Sequence, residues 1–167
     1  MKKIIIMALL VLALLPACQK KGLPLFVGDY SYKMSGSVVL TPADNDELDT
    51  LTFNITTEIG NLNISTFDKD NDSVVLVMNP MNGELSTTRA YCCDTEIKFA
   101  EYKKSLRLTN IAEGISALCD VNVKANGIMY DGNTIVVNME FSGMHTYLDN
   151  EYGICGDDIL FVAYRND

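Results

Sequence analysis

The chain has 167 residues, 48% of them hydrophobic, with 13 basic against 22 acidic residues and a net charge of −9. That length suits one domain with a sizeable core. Its three arginines, Arg89, Arg107 and Arg165, are scattered, and the lack of any basic patch excludes nucleic acid as an expected partner.

Met1-Lys2-Lys3 supplies a positive start, and Ile4 to Leu15 is an unbroken apolar run. Pro16-Ala17 then leads into Cys18, followed by Gln19-Lys20-Lys21. A positive end, a short apolar core and small residues before a cut describe a secretory signal peptide over residues 1–17. The apolar run is shorter than the roughly 20 residues a helix needs to span a bilayer. It is also apolar all round, which an amphipathic core helix is not. Leu15-Pro16-Ala17-Cys18 resembles the bacterial lipobox. The resemblance implies cleavage before Cys18 and lipidation of its thiol and amine, so the protein's first expected partner is a membrane. Residues 18–25 would then form a lipidated tether, and residues 26–167 the folded domain. Without Lys2 and Lys3, residues 18–167 carry 11 basic and 22 acidic side chains, a net charge of −11. Such acidity suits a domain that stays soluble and clear of the anionic surface holding it.

From Phe26 onward the hydrophobic period is two. The first expected strand is Tyr30 to Leu40. Leu51, Phe53, Ile55, Thr57 and Ile59 then alternate with Thr52, Asn54, Thr56 and Glu58, the pattern of a half-buried strand. Gly60-Asn61 reads as a turn, Leu62 to Phe67 as a strand, and Asp68 to Asp72 as a polar turn. Ser73 to Met78 is β-branched, Asn79 to Gly83 carries a hairpin signal, and Glu84 to Cys92 follows. After a turn at Cys93-Asp94, strands are expected at Thr95 to Phe99, Tyr102 to Thr109 and Cys119 to Ala125. Asn126-Gly127 reads as a bulge, and Asp131-Gly132 as a tight turn. Ile135 to Phe141 and Ile159 to Tyr164 complete the set. No segment shows a helical period over ten residues. Many short, evenly spaced strands with short turns predict an all-β fold, an antiparallel up-and-down β-barrel of about eight or nine strands.

Gly28-Asp29-Tyr30, opening the first strand, resembles the Gly-x-Trp start of lipocalins and the wider calycin group, with Tyr30 in place of the tryptophan. Arg165, after the last strand, resembles the arginine that packs over that ring. Tether, meander and terminal arginine together look like the lipocalin-like lipoproteins of Bacteroides-type bacteria. The resemblance implies an eight-stranded barrel whose apolar interior holds a small lipophilic ligand. An eight-stranded barrel has room for packed side chains or for one small ligand, and the residues leave both open. Gln19-Lys20-Lys21 lacks the acidic residues that follow the cysteine in surface-exported lipoproteins of that lineage. The outer membrane is therefore the expected location, with the periplasmic face favoured.

Candidate sites are few. Cys92, Cys93, Cys119 and Cys155 are candidates for disulfides in an exported compartment, or for buried thiols, and four cysteines allow three pairings. No metal or cofactor is expected: there is no Cys-x-x-Cys, and His145 is the single histidine. Asp68, Asp70 and Asp72 have calcium-loop spacing, but Ser73 stands where the loop needs glycine and Asn79 where it needs glutamate. Asp44, Asp46, Glu47 and Asp49 form an acidic loop. Asp49-Thr50-Leu51 and Asp72-Ser73-Val74 match the Asp-Ser/Thr-apolar acceptor of O-glycosylation in Bacteroides-type bacteria, which marks Thr50 and Ser73. Ser142 to Asp158 is the longest irregular segment, and its Met144, His145, Tyr147 and Tyr152 are candidates for a ligand entrance. No cysteine-hydrolase or serine-hydrolase signature surrounds Cys155, His145 or Ser116, so a non-enzymatic binding protein is expected. The alternatives are an interaction module with a filled core, or a lipid-acting hydrolase without a readable motif.

Replacing Cys18 by alanine should move the protein from the membrane to the soluble fraction of lysed cells. It should also remove the mass of the acyl chains from the mature protein. Unchanged membrane retention would contradict the anchor.

Overall fold

The computed structural model describes residues 22–44, 47–69, 71–110 and 114–167. Cys18, the signal peptide, Asp46 and Asp70 lie outside the described residues.

A single-turn helix, α1 (Gly22–Phe26), precedes eleven strands: β1 (Gly28–Ser35), β2 (Ser37–Pro42), β3 (Leu51–Ile55), β4 (Glu58–Asp68), β5 (Ser73–Pro80), β6 (Ser86–Cys93), β7 (Glu96–Phe99), β8 (Tyr102–Asn110), β9 (Ile115–Met129), β10 (Thr134–Tyr147) and β11 (Asn150–Arg165). All the strand pairs are antiparallel. The sheet closes because β1 pairs with β4 on one side and with β11 on the other, from Tyr30↔Arg165 to Ser35↔Leu160. The expected antiparallel barrel is therefore present.

Two rings share the long strands β9, β10 and β11. At one end β1, β4, β5, β6, β7, β9, β10 and β11 encircle the core. At the other, β2, β3 and β8 join the same three long strands in a narrower ring. The β5–β6 hairpin belongs only to the wide end, and barrel diameter falls with strand number.

The strand count of eleven, rather than eight or nine, reflects interruptions in three long runs. Gly36 separates β1 from β2, residues 56–57 separate β3 from β4, and residues 100–101 separate β7 from β8. The second interruption reverses the side-chain faces. Alternation from Leu51 places Ile59 inside and Glu58 outside. Beyond Thr56 and Thr57, both exposed, Glu58 pairs with inward-facing Met34, and Ile59 is 46% exposed. One extra residue in a period-two pattern flips every side chain after it.

Other boundaries also differ from expectation. Gly60-Asn61 lies within β4, not in a turn. A Cβ at Gly60 would stand 2.4 Å from the Asn79 carbonyl oxygen and 2.9 Å from the Tyr32 ring, so glycine is there for close approach. Asn126-Gly127 is regular ladder, with Val137↔Gly127 in register, and glycine is required because a Cβ would meet the Val136 oxygen at 2.6 Å. Asn79 and Pro80 extend β5, and the turn follows them. Part of the expected tether is α1, which buries Leu23 and Phe26 and packs on β6 at the wide end.

The segment Ser142 to Asp158 is no loop. It is most of the β10–β11 hairpin, paired from Ser142↔Cys155 to Tyr147↔Asn150. Leu148 (φ 49°) and Asp149 (φ 62°) form its two-residue turn. Two positive φ angles match the twist of a hairpin, yet leucine carries no such signal in sequence. This hairpin has one irregularity: Met139 pairs with Ile159 and Phe141 with Gly156. The extra residue in β11 leaves Asp157 and Asp158 both exposed and lets Gly156 and Ile159 both face inward.

The inner face is apolar and closely packed. Val38, Leu40, Phe53, Leu76, Met139 and Phe161 are each at most 1% exposed, and Tyr32 stacks on Phe161 at 4.9 Å between centroids. The outer face carries Ser31, Lys33, Asn61, Asn63, Asn122 and Lys124, all exposed or half-buried. The same face also exposes Phe67, Tyr91, Ile128, Leu160 and Tyr164, but an apolar, packed interior is the inverse of the polar lumen of a barrel that spans a bilayer.

Candidate functional site

At the wide end, Arg165 leaves β11 and reaches under the barrel. Its Nη1 donates to the Val27 carbonyl (3.1 Å) and its Nη2 to the Leu25 carbonyl and to the Tyr30 hydroxyl (2.7 Å). Tyr30 Oη donates to the Phe26 carbonyl at 2.8 Å, and the guanidinium carbon lies 5.1 Å from the Tyr30 ring centroid. A Cβ at Gly28 would come within 3.2 Å of Arg165 Nη1. The structure thus brings Gly28, Tyr30 and Arg165 together, and a cation satisfies carbonyls at the C-terminal end of α1. Burial pushes the Tyr30 phenol above its usual value, against the nearby guanidinium, which lowers it. These contacts fasten helix, first strand and last strand; Tyr30 also lines an open hollow of about 470 Å³ with Asp29, Leu62, Val77 and Asn166.

At the narrow end, the four residues expected at an entrance do not line one. Met144 is 57% exposed on the outer face. Tyr147 packs edge-on against Phe53 (5.9 Å, 77°) and Tyr152 (6.2 Å, 70°), and Tyr152 is buried. His145 sits opposite Tyr152 in register and is half-buried. The aromatics fill this end.

The four described cysteines are free thiols rather than disulfides: Cys92 and Cys119 are buried, Cys93 and Cys155 exposed. The ladders explain the separation of the inner pair. Cys92 is level with Ile97 and so with Gly127, eight positions along β9 from Cys119. At about 3.3 Å per residue that is about 26 Å, against the roughly 7 Å limit for bridging two Cα atoms. Burial pushes Cys92 up to about 12 and Cys119 up to about 11. Asp157, which Cys155 contacts at 3.4 Å, raises that thiol too. A thiol activated for nucleophilic attack is shifted the other way. Thr50 is exposed, but Ser73 is 6% exposed and its hydroxyl is turned to the Asn71 carbonyl, so it is not presented as a glycan acceptor.

The feature that sequence reasoning missed lies in the barrel wall. β6 and β7 part after the Ala100 N–H bond to the Arg89 carbonyl (2.8 Å). β8 meets β3 only from the Thr56 N–H bond to the Arg107 carbonyl (3.0 Å) onward. Between these points the described residues 102–106 pair with β9 alone. The wall is forked there, and a cavity of about 530 Å³ occupies the fork. Met34, Ile55 and Leu106 line it from the inner face, and Ile59, Leu85 and Leu118 from the exposed rim.

An ion pair bridges the fork where the backbone ladder cannot. Lys104 Nζ lies 2.9 Å from Glu58 Oε1, with side chains only 5% and 15% exposed. Tyr32 Oη donates to the same oxygen at 2.7 Å. Burial first, and Glu58 second, hold the Tyr32 and Tyr102 phenols well above their usual range, so both remain donors. Ser86 Oγ is buried beside the cavity without a hydrogen-bond partner. Desolvating an ion pair costs several kcal/mol per ion, so such a pair is weak support for stability. Part of the signal was in the sequence: Lys104 falls in phase with Tyr102, Leu106 and Leu108. Its partner was hidden by the face reversal at residues 56–57.

No protein-family model and no curated protein matches the chain. Among solved structures, a redesigned beta barrel shares 8% identity at a TM-score of 0.46, over 89% of this chain and 98% of that one. EF1p2_mFAP2b, solved bound to DFHBI, shares 9% identity at 0.46, over 88% and 98%. Ail, the attachment invasion locus protein of Yersinia pestis, solved with sucrose octasulfate, shares 12% at 0.43, over 84% and 100%. These likenesses are of outline only; closure here rests on the β1–β11 ladder.

Replacing Arg165 by methionine removes three hydrogen bonds and should destabilise the domain by about 3 kcal/mol. For a domain of this size that lowers Tm by roughly 6–12 °C. Calorimetry showing a shift below about 1 °C would contradict the role of Arg165 as the fastening between helix and barrel.

Proposed function

We propose that this is a lipid-anchored protein of the bacterial envelope that binds a small, partly apolar ligand without transforming it. The observation that carries the binding reading is the forked wall: a cavity of about 530 Å³ that reaches the inner face beside a buried ion pair. That volume falls within the roughly 300–1,000 Å³ typical of ligand sites. The barrel axis itself is filled by side chains with almost no exposed surface, so the ligand enters through the wall.

The non-enzymatic reading is supported by thiols held away from the thiolate form. Anchoring rests on residues 1–18, and the outer-membrane location with the periplasmic face favoured rests on Gln19-Lys20-Lys21. The likeness to lipocalins rests on Gly28, Tyr30 and Arg165 meeting at the helix-capped end. An anchored binder delivers or holds its ligand close to the bilayer.

Native mass spectrometry of the protein purified from its own membrane, in mild detergent, should show a second species heavier by one small molecule. Mild heating should release it. A single apo mass from several growth conditions would contradict the binding reading.

A further inference from the structure

The forked wall also says what kind of head group it suits, and this inference rests on the binding reading above. Within a strongly acidic chain, the cavity is balanced in charge. Lys104 and Glu58 face each other at its floor, and Lys103 and Arg107 offset Glu84 and Asp120 around it. A ligand bringing a net charge to a floor this dry would leave one partner of the pair uncompensated, which is costly in a low-dielectric site.

The floor still has hydrogen-bonding capacity to offer. Both donors to Glu58, from Lys104 and Tyr32, fall on Oε1, and Glu58 is among the residues that line the cavity. The Lys104 ammonium has three N–H groups, and Glu58 is its ion-pair partner. Ser86 Oγ is buried there with no partner. One donor cluster and two acceptors thus line the same cavity, together with apolar side chains. We infer that the fork binds a neutral amphiphile whose head carries a hydrogen-bond acceptor and a hydroxyl together, as in a monoacylglycerol. The acceptor takes an N–H of Lys104, the hydroxyl donates to Glu58 Oε2, and Ser86 bonds the remainder. The acyl chain lies along Met34, Ile55 and Leu106 and leaves past Leu85 and Leu118.

The test titrates the full chain with three ten-carbon probes, each below its micelle concentration: monodecanoylglycerol, decanoate and decylammonium. Amide shifts are followed by NMR and affinities by calorimetry. The neutral probe should bind at least about tenfold tighter than either ion, and should shift the amides of Glu58, Ser86 and Lys104. The double variant Glu58→Gln with Lys104→Met keeps the floor neutral. It should lose about tenfold in affinity for monodecanoylglycerol while keeping its thermal transition. Ser86→Ala, a milder change, should lose about threefold. Equal or tighter binding of either ion overturns the inference, as does unchanged affinity in both variants. Shifts confined to Tyr147 and Tyr152 move the site to the narrow end and overturn it as well. If a native bound mass exists but no probe shifts the fork, the inference fails and the binding reading stands. If no mass and no probe binds, both fall.

Discussion

The β1–β11 ladder is the constraint on which the rest of this structure depends. A sheet whose first and last strands pair is closed on itself, so every strand between them must fit a circumference already fixed. Arg165, on the last strand, carries that closure into the chain ahead of β1 by bonding the carbonyls of Leu25 and Val27 and the hydroxyl of Tyr30. The short helix is thereby held over the wide end with Phe26 fully buried. Tyr147 and Tyr152 fill the opposite end. With both ends stopped and the axis packed, the wall is where a cavity can open.

It opens because the circumference changes along the axis. The β5–β6 hairpin widens one end and stops short of the other. The run that continues β7 keeps β9 on one side but loses β6 on the other, and β8 finds β3 only near its end, so a stretch of β8 is paired on one side only. The same adjustment reverses the faces of β4 and carries Glu58 inward, where it meets Lys104. A filled apolar position would be at least as stable there. The pair is instead placed against the opening in the wall, which an unpartnered serine hydroxyl also lines. A site of this kind trades stability for recognition, while the tightly packed remainder of the barrel holds it in shape.

Much of the fold could be read in the residues. Alternation at Cys119 to Ala125 and Ile135 to Phe141 marked inner faces that are buried here, and short turns between strands pointed to a meander. The failures share one cause. Local pattern reports neither where a closed sheet needs an extra residue nor where two backbones touch. Gly60 and Gly127 looked like turn and bulge residues, although each makes room for a neighbouring strand. Leu148 and Asp149 hid a hairpin, because a leucine at positive φ is dictated by the strands on either side. The fork was illegible for the same reason: Glu58 and Lys104 are 46 residues apart, and although Lys104 falls in the inward phase of its strand, Glu58 looks like an ordinary solvent-facing charge until the bulge and the ring are in place.

The central claim, a closed barrel with a fork in its wall, is tested most directly by residue-resolved amide hydrogen exchange. Arg107 directs its carbonyl to β3, so by alternation the N–H groups of Lys103 and Ser105 face the opening. Those two amides should exchange faster than those of Ser31 to Met34, which are paired on both sides, by a factor on the order of 100 or more. Equal protection in the two segments would mean that the wall is continuous, and would contradict the account.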